Sequence, residues 1–266
     1  MSSCALAIGG LDPGGGAGVV ADLRSFHAAR VFGCAVVAVT TVQSTDGLVA
    51  SRPVASHLVV AQAEEVMRVQ RVAAIKLGAL GSVSTVRAVI ELVSRAARVP
   101  VVLDPVMLPT RGGSRLLAAR AARVVRDELI PLATLVIANA SEAEVLTGHA
   151  VRTVGEARRA ACALVDLGAT AALVKGGHLT PGKDATDVLA LGGGRVIELS
   201  ARRFDLAPTH GGGCVLASLI AGCLARRPVR ATARRIEAAV REARRVHRRA
   251  LQRSVDVGGA MRVLVP

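Results

Sequence analysis

The chain alternates short, continuous apolar runs with longer segments whose apolar residues recur every three or four positions. The runs Cys4–Ile8, Val36–Val39, Ala73–Leu77, Val101–Leu103, Leu135–Ala138 and Ala171–Val174 have the length of strands buried on both faces. Helical spacing between them predicts helices ending near His27 and over Val59–Met67, Ser84–Ser94 and Leu116–Arg126. Ser141 with Glu144, and Thr153 with Glu156, carry a capping-box pattern and open two further helices. Asp187–Ala190 and Arg195–Leu199 read as a hairpin around a glycine turn, with Thr40–Thr45 read as a polar strand exit. Helices over Val215–Leu224 and Arg230–Gln252 finish the chain. In the second, Ile236, Val240, Ala243, Val246 and Ala250 form an apolar face opposite arginines. Strands alternating with helices predict an α/β fold with a mainly parallel sheet covered on both sides, in one domain over residues 1–266.

In such sheets ligands bind beyond the carboxyl ends of the strands. Asp12, Gln43, Lys76, Asp104, Asn139 and Lys175 fall at those ends. Lys76 and Lys175 are two of three lysines in an arginine-dominated chain, and an ammonium is a more compact charge than a guanidinium. Gly211, Gly212 and Gly213 run straight into the apolar stretch from Val215. Glycines at a helix start leave the first backbone N–H groups open to an anion. Cys214 sits in the same place, where that field is expected to lower a thiol pKa. The stretch alone fits an anion cradle with a base beside it, and equally a glycine loop before a buried cysteine. No Gly-Lys-Ser/Thr follows the glycines, so this is not a Walker A loop. Gly16–Ala21 has dinucleotide-fingerprint spacing but lacks the acidic residue that should follow. Asp104, Asn139 and Glu142 offer oxygens suited to Mg²⁺ held partly through water. With a lysine and an anion cradle, the set describes phosphoryl transfer from a Mg-nucleotide. Helix capping is the alternative use of the carboxylates, Glu142 above all.

Composition narrows this picture. Apolar residues make up 52% of the chain, with three Phe and no Trp or Tyr, so the core must be built from Ala, Val and Leu. The net charge of +14 suits anionic ligands. Without an aromatic stacking platform or a known motif, nucleic acid is not an expected partner. No apolar run reaches membrane-span length, and no basic segment precedes the first apolar run, so neither membrane nor signal peptide is expected. Cys4, Cys34, Cys162, Cys214 and Cys223 form no CxxC pair. They predict a reducing cytoplasm, with no disulfide framework and no zinc site.

Several stretches in order make the chain similar to a known family. They are Gly10-Leu11-Asp12-Pro13-Gly14-Gly15-Gly16-Ala17-Gly18, Ala21-Asp22-Leu23, Gln43-Ser44-Thr45 and Lys76-Leu77-Gly78. They continue with Asp104-Pro105-Val106-Met107, Asn139 with Glu142, Lys175-Gly176-Gly177-His178 and Thr209-His210-Gly211-Gly212-Gly213-Cys214. From Ala5 to Arg226 the chain resembles the hydroxymethylpyrimidine/phosphomethylpyrimidine kinases of thiamine synthesis, in the ribokinase-like superfamily. The resemblance implies a three-layer α/β/α sandwich and ATP-dependent phosphorylation of the hydroxymethylpyrimidine and its monophosphate, with Mg²⁺. It implies that Gln43 bonds the pyrimidine edge, that Gly10 and Val106 line the pocket, and that Asp22 lies close to it. Asp104, Asn139 and Glu142 would serve Mg-ATP, with Asp104 and Glu142 nearest the metal. Lys175 would serve the phosphates, Gly211–Gly213 would form the anion hole, and Cys214 takes the place of the family's base.

The chain departs from the family's Lys-Asn-Thr-His-Gly-Thr-Gly-Cys, reading Ala207-Pro208-Thr209-His210-Gly211-Gly212-Gly213-Cys214 instead. Thr110-Arg111-Gly112 replaces a Lys-Ser-Gly. Ala79 stands where a Met often covers the pyrimidine. A glycine- and histidine-rich C-terminal segment is not visible in Val257–Pro266. Two other readings accompany the kinase reading: a catalytically weak pyrimidine-binding protein on the same scaffold, and a pyridoxal kinase. The sequence leaves the oligomeric state open, with a homodimer as the expected assembly.

Overall fold

The first apolar run becomes β1 (Cys4–Leu11), and the alternation of its side chains sorts them between two cores. Leu6 and Ile8 enter one, while Ala5 and Ala7 enter the other. The structure is a computed structural model that describes residues 3–107, 119–177, 179, 183–227 and 230–266. From β1 the chain makes α1 (Gly18–Ala28), β2 (Phe32–Ser44), β3 (Gly47–Pro53), α2 (Ser56–Val69), β4 (Val72–Leu77), α3 (Val83–Arg95) and β5 (Val101–Leu103). It continues through α4 (Ala119–Val124), β6 (Leu135–Ala138), α5 (Ala140–Thr147), α6 (Val154–Asp166), β7 (Ala171–Val174), β8 (Asp184–Leu191) and β9 (Arg195–Arg202). The chain then forms β10 (Thr209–His210), α7 (Gly212–Ala225), α8 (Ala233–Gln252) and β11 (Arg262–Val263).

The described residues form a nine-stranded sheet in the order β3-β2-β1-β4-β5-β6-β7-β8-β9. β2, β1, β4, β5, β6 and β7 run parallel; β3, and β8 against both neighbours, pair antiparallel. α2 to α6 cover the core that holds Leu6 and Ile8, and α1, α7 and α8 cover the other. The result is a three-layer α/β/α sandwich. Strand order reverses at β1, which lies between β2 and β4, and this is where a doubly wound sheet opens a crevice.

α7 is apolar on nearly every side and buried along most of its length, as an all-apolar helix must be. It packs on β4, β1 and β5, and the small side chains of Ala5 and Ala7 allow that approach. Its N-terminus therefore ends at the centre of the crevice.

The sequence reading needs four corrections. β2 runs on through Thr40 to Ser44 and pairs with β3, where a polar exit was expected. This is an edge hairpin with exposed alternate residues, so it lacks a continuous apolar run. The cap of α5 is Asn139 with Glu142, not Ser141 with Glu144, because β6 ends at Ala138 and Asn139 is already the extended N-cap. Glu144 accepts instead from the Val151 N–H at 2.7 Å. α4 continues into a π-helical turn, Val125–Leu129, and a short 3₁₀ turn; residues 116–118 of the expected helix lie outside the described residues. The small β10–β11 ladder was not foreseen. Thr153 with Glu156 caps α6 as expected.

Candidate active site

The start of α7 is set by contacts from three directions. Gly211 takes a left-handed conformation, φ 75°. A Cβ there would lie 2.0 Å from the Gly16 carbonyl oxygen, so glycine is required on conformation and on space. β11 pairs in parallel with β10 and anchors the residues just before it. On the far side the His247 Nε2–H of α8 donates to the Gly212 carbonyl at 2.9 Å. Gly212, Gly213 and Cys214 form the first turn, whose N–H groups have no intrahelical acceptor.

Gly213 faces the charged half of the site. A Cβ on it would fall 2.7 Å from Lys175 Nζ and 3.9 Å from Asp104 Oδ1. Lys175, beyond β7, stands 3.8 Å from Asp104 Oδ1. Asp104, beyond β5, is 2% exposed, and its Oδ2 has no hydrogen-bond partner. Asp187 steadies the lysine loop by accepting from the Gly176 N–H at 2.7 Å and from Arg244 Nε at 2.8 Å. Burial opposes the charge on Lys175, yet Asp104 and Glu142 hold its pKa above the usual ammonium value.

Glu142 is buried at the same place. Its Oε2 accepts from the Asn139 N–H, and Asn139 Oδ1 accepts from the Glu142 N–H, both at 2.9 Å. The Met107 backbone N–H also bonds its carboxylate. Burial pushes its pKa up to about 7, with Lys175 opposing and Asp104 adding to the rise. Capping and proximity to Asp104 are thus combined in one residue.

Cys214 departs from expectation. Burial pushes its thiol up to about 12; Lys76 opposes the rise, Asp104 and Asp22 add to it, and the Gly18 backbone N–H lowers it again. A helix start was expected to lower this pKa, but two carboxylates and the surrounding protein outweigh it. At rest Cys214 is a thiol.

Beneath it lies a fully buried ion pair. Lys76 Nζ, on β4, is 3.0 Å from both oxygens of Asp22, on α1, and Ser218 Oγ, on α7, donates to Asp22 Oδ1 at 2.6 Å. Asp22 is 0% and Lys76 1% exposed. Asp22 therefore ties α1, β4 and α7 together under the site, with no surface open to a ligand. Removing one partner of such a pair costs ~3–5 kcal/mol.

The other half is built on Asp12, beyond β1. Its Oδ1 accepts from the Gly14 N–H at 2.9 Å, and its Oδ2 from the Ala17 N–H and from His210 Nε2, each at 2.8 Å. Burial works against its charge, but these donors hold its pKa below the usual carboxylate value. Gln43, near the end of β2, lies 3.3 Å from His210 Nε2 and 3.2 Å from Thr41 Oγ1. Gly10, one residue before the end of β1, faces Ala79, whose Cβ is 3.6 Å from where its own would be. Val106 is half-buried, and its N–H donates to the Asp104 carbonyl at 2.8 Å. Among the described residues no group of three or more His, Cys, Asp or Glu side chains could hold a metal by itself. An open hollow at α5 and α6, around His149, Arg159 and Asp166, shares no residue with this site.

A profile described as phosphomethylpyrimidine kinase matches residues 12–264. The chain belongs to the phosphomethylpyrimidine kinase family. It is 40% identical to a hydroxymethylpyrimidine/phosphomethylpyrimidine kinase of Rhizobium meliloti, covering 85% of this chain and 84% of that protein. A protein of the same name from Streptomyces coelicolor is 39% identical, covering 83% and 80%. Among solved structures, a Bacillus subtilis pyridoxal kinase in an ADP complex superposes with a TM-score of 0.87 at 27% identity, covering 99% and 97%. A Clostridium difficile phosphomethylpyrimidine kinase gives 0.79 at 29%, covering 93% and 99%.

Within this kinase, the predicted Gly211–Gly213, Cys214, Asp104, Glu142 and Lys175 converge, with Asn139 serving as the cap that holds Glu142. Gly10 and Gln43 lie near the carboxyl ends of β1 and β2 and Val106 just beyond β5, while Asp22 is buried in the ion pair with Lys76. Thr110-Arg111-Gly112 and His178 fall outside the described residues. The sequence reading gave no role to His210, Ser218, Asp187 or His247, and gave Asp12 none beyond its strand end. Asp12 and His210 were signalled as the polar residues inside or next to the two glycine stretches. Asp187 and His247 carried no such signal, since each acts from a distant element. All five cysteines are free, and no described helix is long and apolar enough to cross a membrane.

Proposed function

We propose that this kinase transfers the γ-phosphoryl group of ATP to the hydroxymethyl oxygen of 4-amino-5-hydroxymethyl-2-methylpyrimidine, and then phosphorylates the monophosphate, in thiamine biosynthesis. The observation that carries this reading is the gap at Gly213: the missing Cβ leaves room for Lys175 Nζ against the first turn of α7, with Asp104 Oδ1 close by. A phosphate seated there meets open N–H groups and an ammonium at once.

The residues also fit Mg²⁺. Asp104 presents a buried oxygen without a partner, and Glu142 lies beside it, so these two would hold the ion with water and phosphate oxygens. Bound there, the ion supplies charge neutralisation for the phosphates. Lys175 and the N–H groups of the first α7 turn orient the transferring group. Gln43 places the pyrimidine so that its hydroxymethyl arm points at Cys214. Once its own thiol proton has been released to solvent, Cys214 accepts the hydroxyl proton as a thiolate while the oxygen attacks phosphorus and the bond to ADP breaks, and it ends the step as a thiol again. Burial, with Asp104 and Asp22 adding to it, favours the protonated thiol at rest, and Lys76 favours the thiolate.

A pyridoxal substrate is the second reading, supported by the likeness to the Bacillus subtilis pyridoxal kinase. The reading takes the protein to be cytoplasmic and homodimeric, without a nucleic-acid partner. A coupled ADP-release assay with hydroxymethylpyrimidine, its monophosphate and pyridoxal tests the reading. Turnover of the two pyrimidines above pyridoxal is expected; turnover of pyridoxal alone would transfer the assignment to the second reading.

A further inference from the structure

The hydrogen-bond chain around Gln43 determines which way its amide faces. Thr41 Oγ1 has one proton, and it lies 2.8 Å from the Leu11 carbonyl oxygen, which has no proton to give. That proton is committed to Leu11, so toward Gln43 the hydroxyl can only accept. The amide atom 3.2 Å from Thr41 Oγ1 must therefore be the NH₂.

The other end of the amide gives the same answer independently. The Asp12 carboxylate accepts two backbone N–H groups and lies 2.8 Å from His210 Nε2. An ionised oxygen facing that nitrogen requires a proton on it, so Nε2 is a donor. The Gln43 atom 3.3 Å from Nε2 must then be an oxygen, since an NH₂ there would set donor against donor. The structure has Oε1 toward Thr41 and Nε2 toward His210; amide oxygen and nitrogen are assigned from the hydrogen-bond network, and both neighbours reverse the amide, with Oε1 on His210 and Nε2 on Thr41. The Nε2–H of His210 is shared between Asp12 and Gln43 as a three-centre bond.

We propose that His210, locked by Asp12 and seated against Gly16, is a specificity-determining positioning residue that fixes the polarity of the Gln43 amide. The proposal rests on the reading that Gln43 contacts the pyrimidine. With one lone pair given to His210 and one N–H to Thr41, the amide keeps one acceptor and one donor for the crevice. That edge matches a ring nitrogen beside an exocyclic amine, as in a 4-aminopyrimidine. A 4-oxo analogue has the opposite edge, a ring N–H beside a carbonyl, and needs the amide turned over. Turning it over would put the NH₂ against the His210 donor and the oxygen against Thr41, whose proton is already used. The chain therefore rejects the oxo analogue by a group that does not touch it. His210 also sits one residue before Gly211 and pairs through β10 with Val263, so the pyrimidine side and the anion loop share one anchor.

The test is the ratio of dissociation constants for the 4-amino and 4-oxo hydroxymethylpyrimidines, measured by calorimetry on the full chain. A ratio is insensitive to the fraction of folded protein. The parent is expected to favour the amine by ~100-fold, since buried unpaired polar groups discriminate strongly. His210→Ala frees the amide to turn, and the preference should fall below ~10-fold. His210→Gln, with an N–H donor for Asp12 and Gln43, should recover most of it. Thr41→Val removes the other lock at nearly constant shape and should lower the ratio as well. Gln43→Ala separates the proposal from the reading beneath it. If Gln43→Ala abolishes the preference while His210→Ala and Thr41→Val keep it, Gln43 reads the pyrimidine and His210 does not set it. If the parent shows no preference, or Gln43→Ala keeps it, Gln43 does not read this edge and the proposal falls with that reading.

Discussion

Asp12 and Asp104 stand at the ends of parallel strands in one sheet, both 2% exposed, yet they live in opposite circumstances. Asp12 is surrounded by donors: two backbone N–H groups and an imidazole within 2.9 Å. Asp104 has an oxygen with no partner and a lysine at 3.8 Å, too far for a hydrogen bond. Burying a carboxylate without donors is costly, so a buried charge left this open marks a place completed by something else. The first aspartate is scaffold for the pyrimidine side, and the second belongs to the phosphate side. Their surroundings follow the same division. Near Asp104 the carboxyl of Glu142 rises to about 7 and the thiol of Cys214 to about 12, burial leading in each case. One side of the crevice is finished before a ligand arrives; the other is finished by the ligand.

If the halves are separable, a change on one side should leave the other untouched. Gly213→Ala makes the largest difference in binding. Its Cβ would take the place of Lys175 Nζ at 2.7 Å, and the flexible lysine must swing away. Losing a charge-assisted bond of ~1.5–3 kcal/mol should weaken nucleotide binding by roughly tenfold to a hundredfold. Thermal stability should hold or rise, because Ala is the better helix former. Nucleotide and pyrimidine titrations with a melting curve check this, and equal weakening of both ligands would erase the division. Gln43→Ala is the mirror experiment. It should cost ~1–3 kcal/mol of pyrimidine binding and leave the nucleotide constant unchanged.

Both predictions depend on residues that were visible in the sequence, and for a physical reason. Strand ends and glycine stretches are local features, and a period of 2 or 3.6 is read over a few neighbours. The same locality explains what was missed. β3 and the extension of β2 lie at an edge with exposed alternate residues, so no apolar run announces them. The Asn139–Glu142 cap competed with an equally good pattern at Ser141–Glu144, and the end of β6 decided between them. The Cys214 pKa was read from its helix alone, while burial decides its direction and carboxylates from positions 22 and 104 add to it. The bond from His210 to Asp12 spans 198 residues, beyond any pattern in the chain.

A smaller effect sharpens the phosphate side. A Cβ at Gly212 would meet His247 Nε2 at 3.7 Å and Thr209 Oγ1 at 3.8 Å, ordinary contacts. Gly212→Thr therefore fits and returns a hydroxyl at the position where the family carries threonine. A several-fold rise in turnover, seen as ADP release, is expected from one added donor of ~0.5–1.5 kcal/mol.

The smallest effect concerns pH. Burial pushes the His247 imidazole down to about 4, although Asp187 and the Gly212 carbonyl oppose that shift. The unfolded chain binds this proton below about pH 6.5, and the folded chain only below about pH 4. The stability that the neutral form contributes is therefore full above about pH 6.5 and lost as pH falls toward 4. His247→Gln can keep the donor to Gly212 without titrating. The drop in melting temperature between about pH 7 and about pH 5 should be smaller in the variant than in the parent. An identical drop would remove His247 as an acid-sensitive anchor of the loop.

The division between a finished and an unfinished half is tested most directly at Cys214, which belongs to the second and is within reach of the first. ADP release and pyrimidine affinity should be measured on one preparation of Cys214→Ala. Loss of a general base should lower turnover by roughly 10²–10⁴, with the pyrimidine dissociation constant within about twofold of the parent, because the proton is taken only as the bond forms. A variant that turns over at the parent rate, or one that loses pyrimidine binding together with turnover, would contradict the account.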